Sequence, residues 1–227
     1  MPKPVEQPKL AIVIAAAGTG RRFGGDKLSA RIGSHTVLEA SVDRLQEALP
    51  EAPVIVVVSS TCVEKWRSVL GVDEIISGGN RRQDSVRIGV DATLALGIDT
   101  VVIHDGARPT VHADDVRATV GAIEGADGAI LCGPVPDTVK RVSNEGAVLE
   151  TIDRDRLRLA QTPQVFRVAA LEEAWTACDL DREWSDEAAI LEAAGGTVHA
   201  VAARHPNPKI TTPADLELVR ALIGDGS

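Results

Sequence analysis

Leu10-Ala11-Ile12-Val13-Ile14 runs without a break into Ala15-Ala16-Ala17-Gly18-Thr19-Gly20-Arg21-Arg22-Phe23-Gly24-Gly25-Asp26-Lys27. The first five residues are apolar without alternation. That predicts a strand buried on both faces, as in a parallel sheet between helix layers. The small residues that follow let backbone N–H groups approach an anion closely. Two familiar phosphate loops fail here: Asp26-Lys27-Leu28 lacks the Ser or Thr that closes a Walker A loop, and Gly18, Gly20 and Phe23 miss the dinucleotide spacing by one residue. What the stretch has is cation density. From Gly18 to Arg31, four cations (Arg21, Arg22, Lys27, Arg31) stand against one carboxylate, Asp26, a local +3. A triphosphate calls for that neutralisation, and a dinucleotide does not.

Working outward, Val54-Ile55-Val56-Val57-Val58, Val101-Val102-Ile103-His104 and Gly128-Ala129-Ile130-Leu131-Cys132 read as further buried strands. Leu38, Val42, Leu45 and Leu49, and later Val116, Val120 and Ile123, recur at helical spacing. The alternation predicts an α/β fold, a doubly wound and mostly parallel sheet. The rhythm breaks from 134 to about 160, where Pro134, Pro136, a polar centre and Gly146 surround β-like pieces at Val139 and Val148. This predicts a β-hairpin arm inserted before Thr162-Pro163-Gln164, with too little core to stand alone and a second subunit as one candidate to pack on. An amphipathic helix from Pro213 to about Ile223 is expected near the end.

Composition narrows the function. At roughly 150 residues per domain, 227 residues allow one domain or one and a half. Lys+Arg 24 against Asp+Glu 33 gives a net charge of -9, which argues against nucleic acid as a partner. With 2% aromatic residues and no Tyr, a base-stacking platform is not expected either. Cys62, Cys132 and Cys178 are far apart and in no CxxC pair, so neither a zinc cluster nor a disulfide framework is predicted. No opening apolar run reads as a signal peptide, and no stretch approaches the ~20 apolar residues of a membrane span. A cytoplasmic protein with no membrane partner is the expectation.

Two more segments carry chemistry. Gly78-Gly79-Asn80-Arg81-Arg82-Gln83-Asp84-Ser85-Val86 follows a predicted strand and opens a helix. The glycine pair allows a tight turn and close approach to a planar base, and Ser85 lies where a hydroxyl caps a helix or binds a ligand. His104-Asp105-Gly106-Ala107-Arg108-Pro109 puts an Asp at the carboxyl end of a strand, a suitable place for a hydrated Mg²⁺. Arg108 could fork a phosphate or pair with Asp105 to fix the loop, and His104 reads as structural.

Taken in order, AAAGTGRRF, GGNRRQDSV, HDGARP, PVPDTVKRV, IDR, TPQVF, SDEAA and KITTPADL resemble the 2-C-methyl-D-erythritol 4-phosphate cytidylyltransferase family of the non-mevalonate isoprenoid route, from about Leu10 to Ile223. The resemblance implies a single Rossmann-like nucleotidyltransferase domain over residues 1–227 and a homodimer clasped through the arm. It implies that Ala15, Ala16, Ala17, Gly18 and Gly20 line the CTP site and that Gly79, Asn80 and Ser85 read the cytosine. Arg22, Lys27 and Lys209 would be the catalytic cations. Asp105 would hold Mg²⁺ and, with Arg108, Ser185 and Lys209, contact the polyol phosphate, while Thr138 and Arg154 would do so from the partner's arm. Three departures stand out: a short Phe23-Gly24-Gly25-Asp26 loop with Asp26 where a Pro usually precedes the Lys, Ser185 for the usual Thr, and Asn80 at a commonly acidic position. Gly-Gly-Asp-Lys also resembles enzymes that cytidylylate the molybdenum cofactor, but HDGARP and KIT fit those poorly. A ribitol-5-phosphate cytidylyltransferase shares nearly the same motifs and is the alternative. A non-catalytic nucleotide-binding regulator and an NAD module are the readings from other classes.

Overall fold

Where apolar residues fill both faces of a strand, helices must cover both sides of the sheet, and this chain builds that arrangement. The computed structural model describes residues 9–18 and 20–224. Thr19, the opening segment read for a signal peptide and the tail 225–227 lie outside them. The strands are β1 (Leu10–Ala16), β2 (Arg31–Ile32), β3 (His35–Thr36), β4 (Val54–Val58), β5 (Glu74–Ser77), β6 (Thr100–Asp105), β7 (Gly128–Gly133), β8 (Val139–Val142), β9 (Val148–Ile152), β10 (Leu159–Arg167) and β11 (Val198–Ala202). The helices are α1 (Val37–Ala48), α2 (Val63–Arg67), α3 (Arg82–Leu94), α4 (Ala113–Gly121), α5 (Val168–Ala177), α6 (Glu187–Ala193) and α7 (Pro213–Ile223).

The central sheet has the order β11-β7-β10-β6-β1-β4-β5. β1 pairs in parallel with β4 and β6, β4 with β5, and β11 with β7, while β10 runs antiparallel between β6 and β7. Side chains alternate across it. Ile12, Ile14, Val56 and Val102 meet α1, α2, α4 and α7 through Leu38, Trp66, Val116 and Leu216. On the other face, Val13, Ile55, Val57 and Ile103 meet α3, α5 and α6 through Val86, Leu171 and Leu191. Each such residue, fully buried, contributes about 1.5–3 kcal/mol of transfer free energy.

The arm is a hairpin of β8 and β9, with Val139 opposite Ile152 and a register shift at Arg141/Val142. It is shorter than the 134–160 expected. Leu159 and Ala160 already pair with Gly133 and Cys132, so the chain re-enters the sheet before Thr162.

Gly89 in the third turn of α3 sets how closely that helix lies on the sheet. A Cβ there would collide with Val13 Cγ1 and stand 2.8 Å from Val57 Cγ2, both in the core. Gly89→Val therefore overpacks the interface and should cost about 1–3 kcal/mol, read as a lower urea midpoint at unchanged slope. A variant as stable as wild type would mean that α3 has slack to move outward.

Candidate active site

In a doubly wound sheet the loops part at the point where strand order reverses, at the carboxyl edge. Here that point lies between β1 and β6, because the chain proceeds from β1 to β4 and β5 and then returns to the other side of β1. A cleft of about 420 Å³ opens there, lined by Ala15–Gly18, Gly20–Arg22, Lys27, the Gly79–Arg82 turn, Ser85, Asp105 and Lys209 among others. A hollow of about 480 Å³ beside α2 and β5 is larger, but it sets a single cation, Arg67, against Asp73 and Glu74 in a wall of Val63, Leu70, Val72, Ile75 and Ile76, and gathers no cluster of positive charge. Chemistry, not size, selects the first.

Gly20 turns the loop after β1 with φ +63°, and a Cβ on it would collide with the Gly25 carbonyl oxygen. Asp26 then ties the loop down: its carboxylate accepts from the Ser29 N–H at 3.3 Å and the Ser29 hydroxyl at 2.6 Å, and pairs with Lys65 at 2.9 Å. Next to it, Lys27 donates from Nζ to the Ile210 carbonyl at 2.8 Å. Burial first, then the positive charges of Lys209 and Arg22, brings the Lys27 ammonium below its ordinary range. Across the cleft the first glycine of the pair allows close packing: a Cβ on Gly78 would stand 2.6 Å from Ser85 Oγ and 2.8 Å from Ala17 Cβ.

Asp105 is the hub. Its side chain is buried, yet Lys209 Nζ lies 2.8 Å from Oδ2, Arg108 Nε 3.4 Å from Oδ2 and Arg82 Nε 3.3 Å from Oδ1. Burial alone would raise its pKa; Arg82, Lys209 and Arg108 override that and hold the carboxyl well below the usual carboxylate range. Arg82 also bonds Glu187 at 2.7 Å, and burial lifts the Glu187 carboxyl above its ordinary range although Arg82 opposes the shift.

The strand end carrying Asp105 is fixed by a directional chain of hydrogen bonds. The Asp105 N–H donates to Thr162 Oγ1 at 3.0 Å, and that hydroxyl faces His104 Nδ1 at 3.1 Å. His104 Nε2 lies 3.2 Å from the Arg108 carbonyl, which can only accept, so the neutral ring carries its proton on Nε2 and Nδ1 accepts from Thr162. Burial pushes the His104 pKa down to about 4, which keeps the ring neutral. Buried Asp115 on α4 anchors the segment that leads to Lys209: it accepts from the Arg204 and His205 N–H groups at 3.1 Å each. Arg108 Nη1 donates to the Asn207 carbonyl at 2.7 Å, Asn207 Nδ2 to the Thr162 carbonyl at 2.8 Å, and the Ile210 N–H to the Ala107 carbonyl at 2.9 Å. These bonds deliver Lys209.

Residues 10–225 match the family model for IspD, 2-C-methyl-D-erythritol 4-phosphate cytidylyltransferase. A namesake from Pelotomaculum thermopropionicum is 37% identical, over 95% of this chain and 94% of its own length. The chain belongs to the IspD family. The bifunctional enzyme IspD/IspF of Paramagnetospirillum magneticum is 39% identical over 94% of this chain, which spans 56% of that relative. The crystal structure of the Thermus thermophilus cytidylyltransferase superposes with a TM-score of 0.76 at 30% identity, covering 94% of this chain and 98% of that one. A nucleotidyltransferase-type α/β fold, a mostly parallel sheet between helices, follows.

Of the residues expected to act in an IspD-family site, Ala15–Gly18, Gly20, Arg22, Lys27, Gly79, Asn80, Ser85, Asp105 and Lys209 line one cleft. Ser85 is already engaged, accepting from the Gly79 N–H at 3.1 Å and donating to the Arg81 carbonyl at 3.1 Å. Arg108 is buried beside the cleft rather than lining it. Ser185 is exposed just ahead of α6, and Thr138 and Arg154 are exposed on either side of the hairpin, Arg154 bonding the Pro136 carbonyl. Arg82, Thr162, Glu187 and Asn207 received no role from the sequence. Among the described residues no three His, Cys, Asp or Glu side chains gather as a metal site. Asp105 and Glu183 are the carboxylates lining the cleft, and Mg²⁺ as a hard ion takes one or two carboxylates and leaves the rest to phosphate oxygens and water. No helix among the described residues is long and apolar enough to cross a membrane.

Thr162→Val keeps the shape of the side chain but strands the Asp105 N–H and His104 Nδ1. It should cost about 1–3 kcal/mol in urea denaturation, with Thr162→Ser close to wild type. Equal stability of the valine variant would mean that the hydrogen-bond chain does not hold the strand end.

Proposed function

We propose that this chain joins CTP to 2-C-methyl-D-erythritol 4-phosphate, giving 4-diphosphocytidyl-2-C-methyl-D-erythritol and pyrophosphate. The observation that carries the reading is the convergence of Arg22, Lys27 and Lys209 on a glycine-walled cleft beside ionised Asp105, in a chain of net charge -9. An oxygen of the sugar phosphate attacks the α-phosphorus; the new P–O bond forms opposite the bond to the β-phosphate oxygen, which breaks as pyrophosphate leaves. No side-chain nucleophile is called for, so positioning and cationic stabilisation carry the rate.

In this reading Ala15 to Gly18 and Gly20 bring backbone N–H groups to the triphosphate, and Gly79, Asn80 and Ser85 face the cytosine. Arg22 and Lys27 neutralise charge developing between the α- and β-phosphates. Asp105, Arg108, Ser185 and Lys209 hold the polyol phosphate. Mg²⁺, held by triphosphate oxygens with Asp105 as the protein's ligand, would supply further charge neutralisation. Two copies would associate through the arms, bringing Thr138 and Arg154 of one to the cleft of the other. Exposed Val142, Val148, Leu149 and Leu159 on or beside the hairpin support such packing. The cytoplasm is the compartment we assign, in keeping with three free cysteines.

Pyrophosphate release with CTP and Mg²⁺ tests the reading, run in parallel with methylerythritol 4-phosphate and ribitol 5-phosphate. Turnover with the former alone is expected, and preference for the latter would overturn the substrate assignment. Arg22→Ala or Lys27→Ala should cost about 3 kcal/mol of transition-state binding, roughly 100-fold in rate. Near-normal turnover at saturating CTP would dismiss the role of the residue concerned. Light scattering at micromolar concentration should report twice the 23.9 kDa chain mass. A monomer would remove Thr138 and Arg154 from the site.

A further inference from the structure

Arg82 occupies the first position of α3 and lines the cleft. Two edges of its guanidinium are already committed, Nη1 to Glu187 at 2.7 Å and Nε to Asp105 at 3.3 Å, by carboxylates from two different elements. Nη2 donates to no group among the described residues. A fork held at two corners and open at the third is preorganised for an incoming oxyanion, and guanidinium geometry matches phosphate. Its neighbour Arg81 is spent differently, on Asp84 at 2.6 Å and on the carbonyls of Leu180 and Asp181.

Glu187 is the unusual partner. Its side chain is 1% exposed, Arg82 is its one ion-pair partner among the described residues, and Oε1 has no hydrogen bond. Buried ion pairs add little net stability against apolar replacements, so stability is a weak reason for a glutamate here. Its placement is deliberate at the local level: Asp186 caps α6 by accepting from the Ala189 N–H at 3.0 Å and is itself held by Gln164 Nε2 at 2.9 Å. The start of α6 is thereby pinned to β10, and Glu187 with it.

We propose that Arg82 contacts the phosphate of the polyol substrate and that Glu187 is the positioning residue that aims it. The acceptor rather than the triphosphate is indicated because Arg82 shares Asp105 with Lys209 and Arg108, whereas the glycine loop with Arg22 forms the other wall. This inference rests on the function proposed above.

The test is steady-state kinetics of the full chain with CTP, Mg²⁺ and methylerythritol 4-phosphate. Glu187→Gln keeps the shape and an acceptor oxygen while removing the charge. It should raise the KM for the polyol phosphate about tenfold, in line with losing a charge-assisted contact, and leave the KM for CTP within about twofold. Arg82→Lys keeps a charge for Glu187 but cannot span to Asp105, and should give the same split. The double variant should be little worse than either single, because the two residues act as a unit. An equal rise in both KM values, no change, or additive losses would overturn the assignment. Should Glu187→Gln fail to fold, Arg82→Lys alone decides by the same split. Failure of the wild type to turn over either polyol phosphate would instead fall on the proposed function. Calorimetric titration with inorganic phosphate then reads the cation directly: about tenfold weaker binding in Arg82→Lys supports it, and unchanged binding sinks it.

Discussion

Asp105 ends a strand whose six residues are all buried, and its carboxylate is met there by a guanidinium from α3, one from its own loop and an ammonium from the segment before α7. Parts of the chain far apart in sequence are referred to a single anion. Unit charges about 4 Å apart interact at about 4 kcal/mol at an effective dielectric near 20, so cations gathered without a counter-charge would drive these elements apart. With Asp105 among them the cluster holds together and keeps positive charge in excess. A phosphate entering the cleft meets donors already in place.

The carboxylate is itself held in position from behind. Thr162 receives its backbone N–H and passes direction to His104, whose remaining N–H returns to the loop at the Arg108 carbonyl. Every donor in this chain points one way, which a protonated ring could not maintain, since both its nitrogens would donate. The burial that keeps His104 neutral therefore also fixes the Asp105 loop. The segment carrying Lys209 is held in the same way, with Asp115 holding two consecutive N–H groups and Asn207 bridging to β10.

Much of this is legible in the residues, for identifiable reasons. Val54–Val58 and Thr100–Asp105 announce strands buried on both faces because apolar runs without alternation have few other uses. The loop after β1 and Asp105 stand out because local charge, or position at a strand end, carries meaning on its own. Lys209 has no such signal and is reached only through the family resemblance. Arg82 sits inside a conspicuous motif and still goes unmarked, since nothing in Arg81-Arg82 says which one turns into the cleft. The answer lies in Glu187, 105 residues away. Thr162 and Asn207 are hidden likewise: their work is done through partners 57 and 45 residues distant, and a lone Thr or Asn has no pattern. The glycine pair suggests a turn, and what the sequence does not show is that Gly78 lies against Ser85 and Ala17 while Gly79 lies against Asp84.

Asp26 shows how a departure from a family pattern is absorbed. A proline ahead of Lys27 would restrict the backbone by its ring; an aspartate restrains it through bonds, to Ser29 twice and to Lys65 once. Both partners are exposed, so the ion pair is worth little by itself, about 1 kcal/mol or less. Its effect is geometric. It closes the short loop from the solvent side while Lys27 is drawn inward to the Ile210 carbonyl, next to the residue that carries the opposing ammonium. Two cations that would repel, Lys27 and Lys209, are thus brought to one cleft by backbone anchors, Lys27 through the Ile210 carbonyl and Lys209 through the Ile210 N–H on the Ala107 carbonyl.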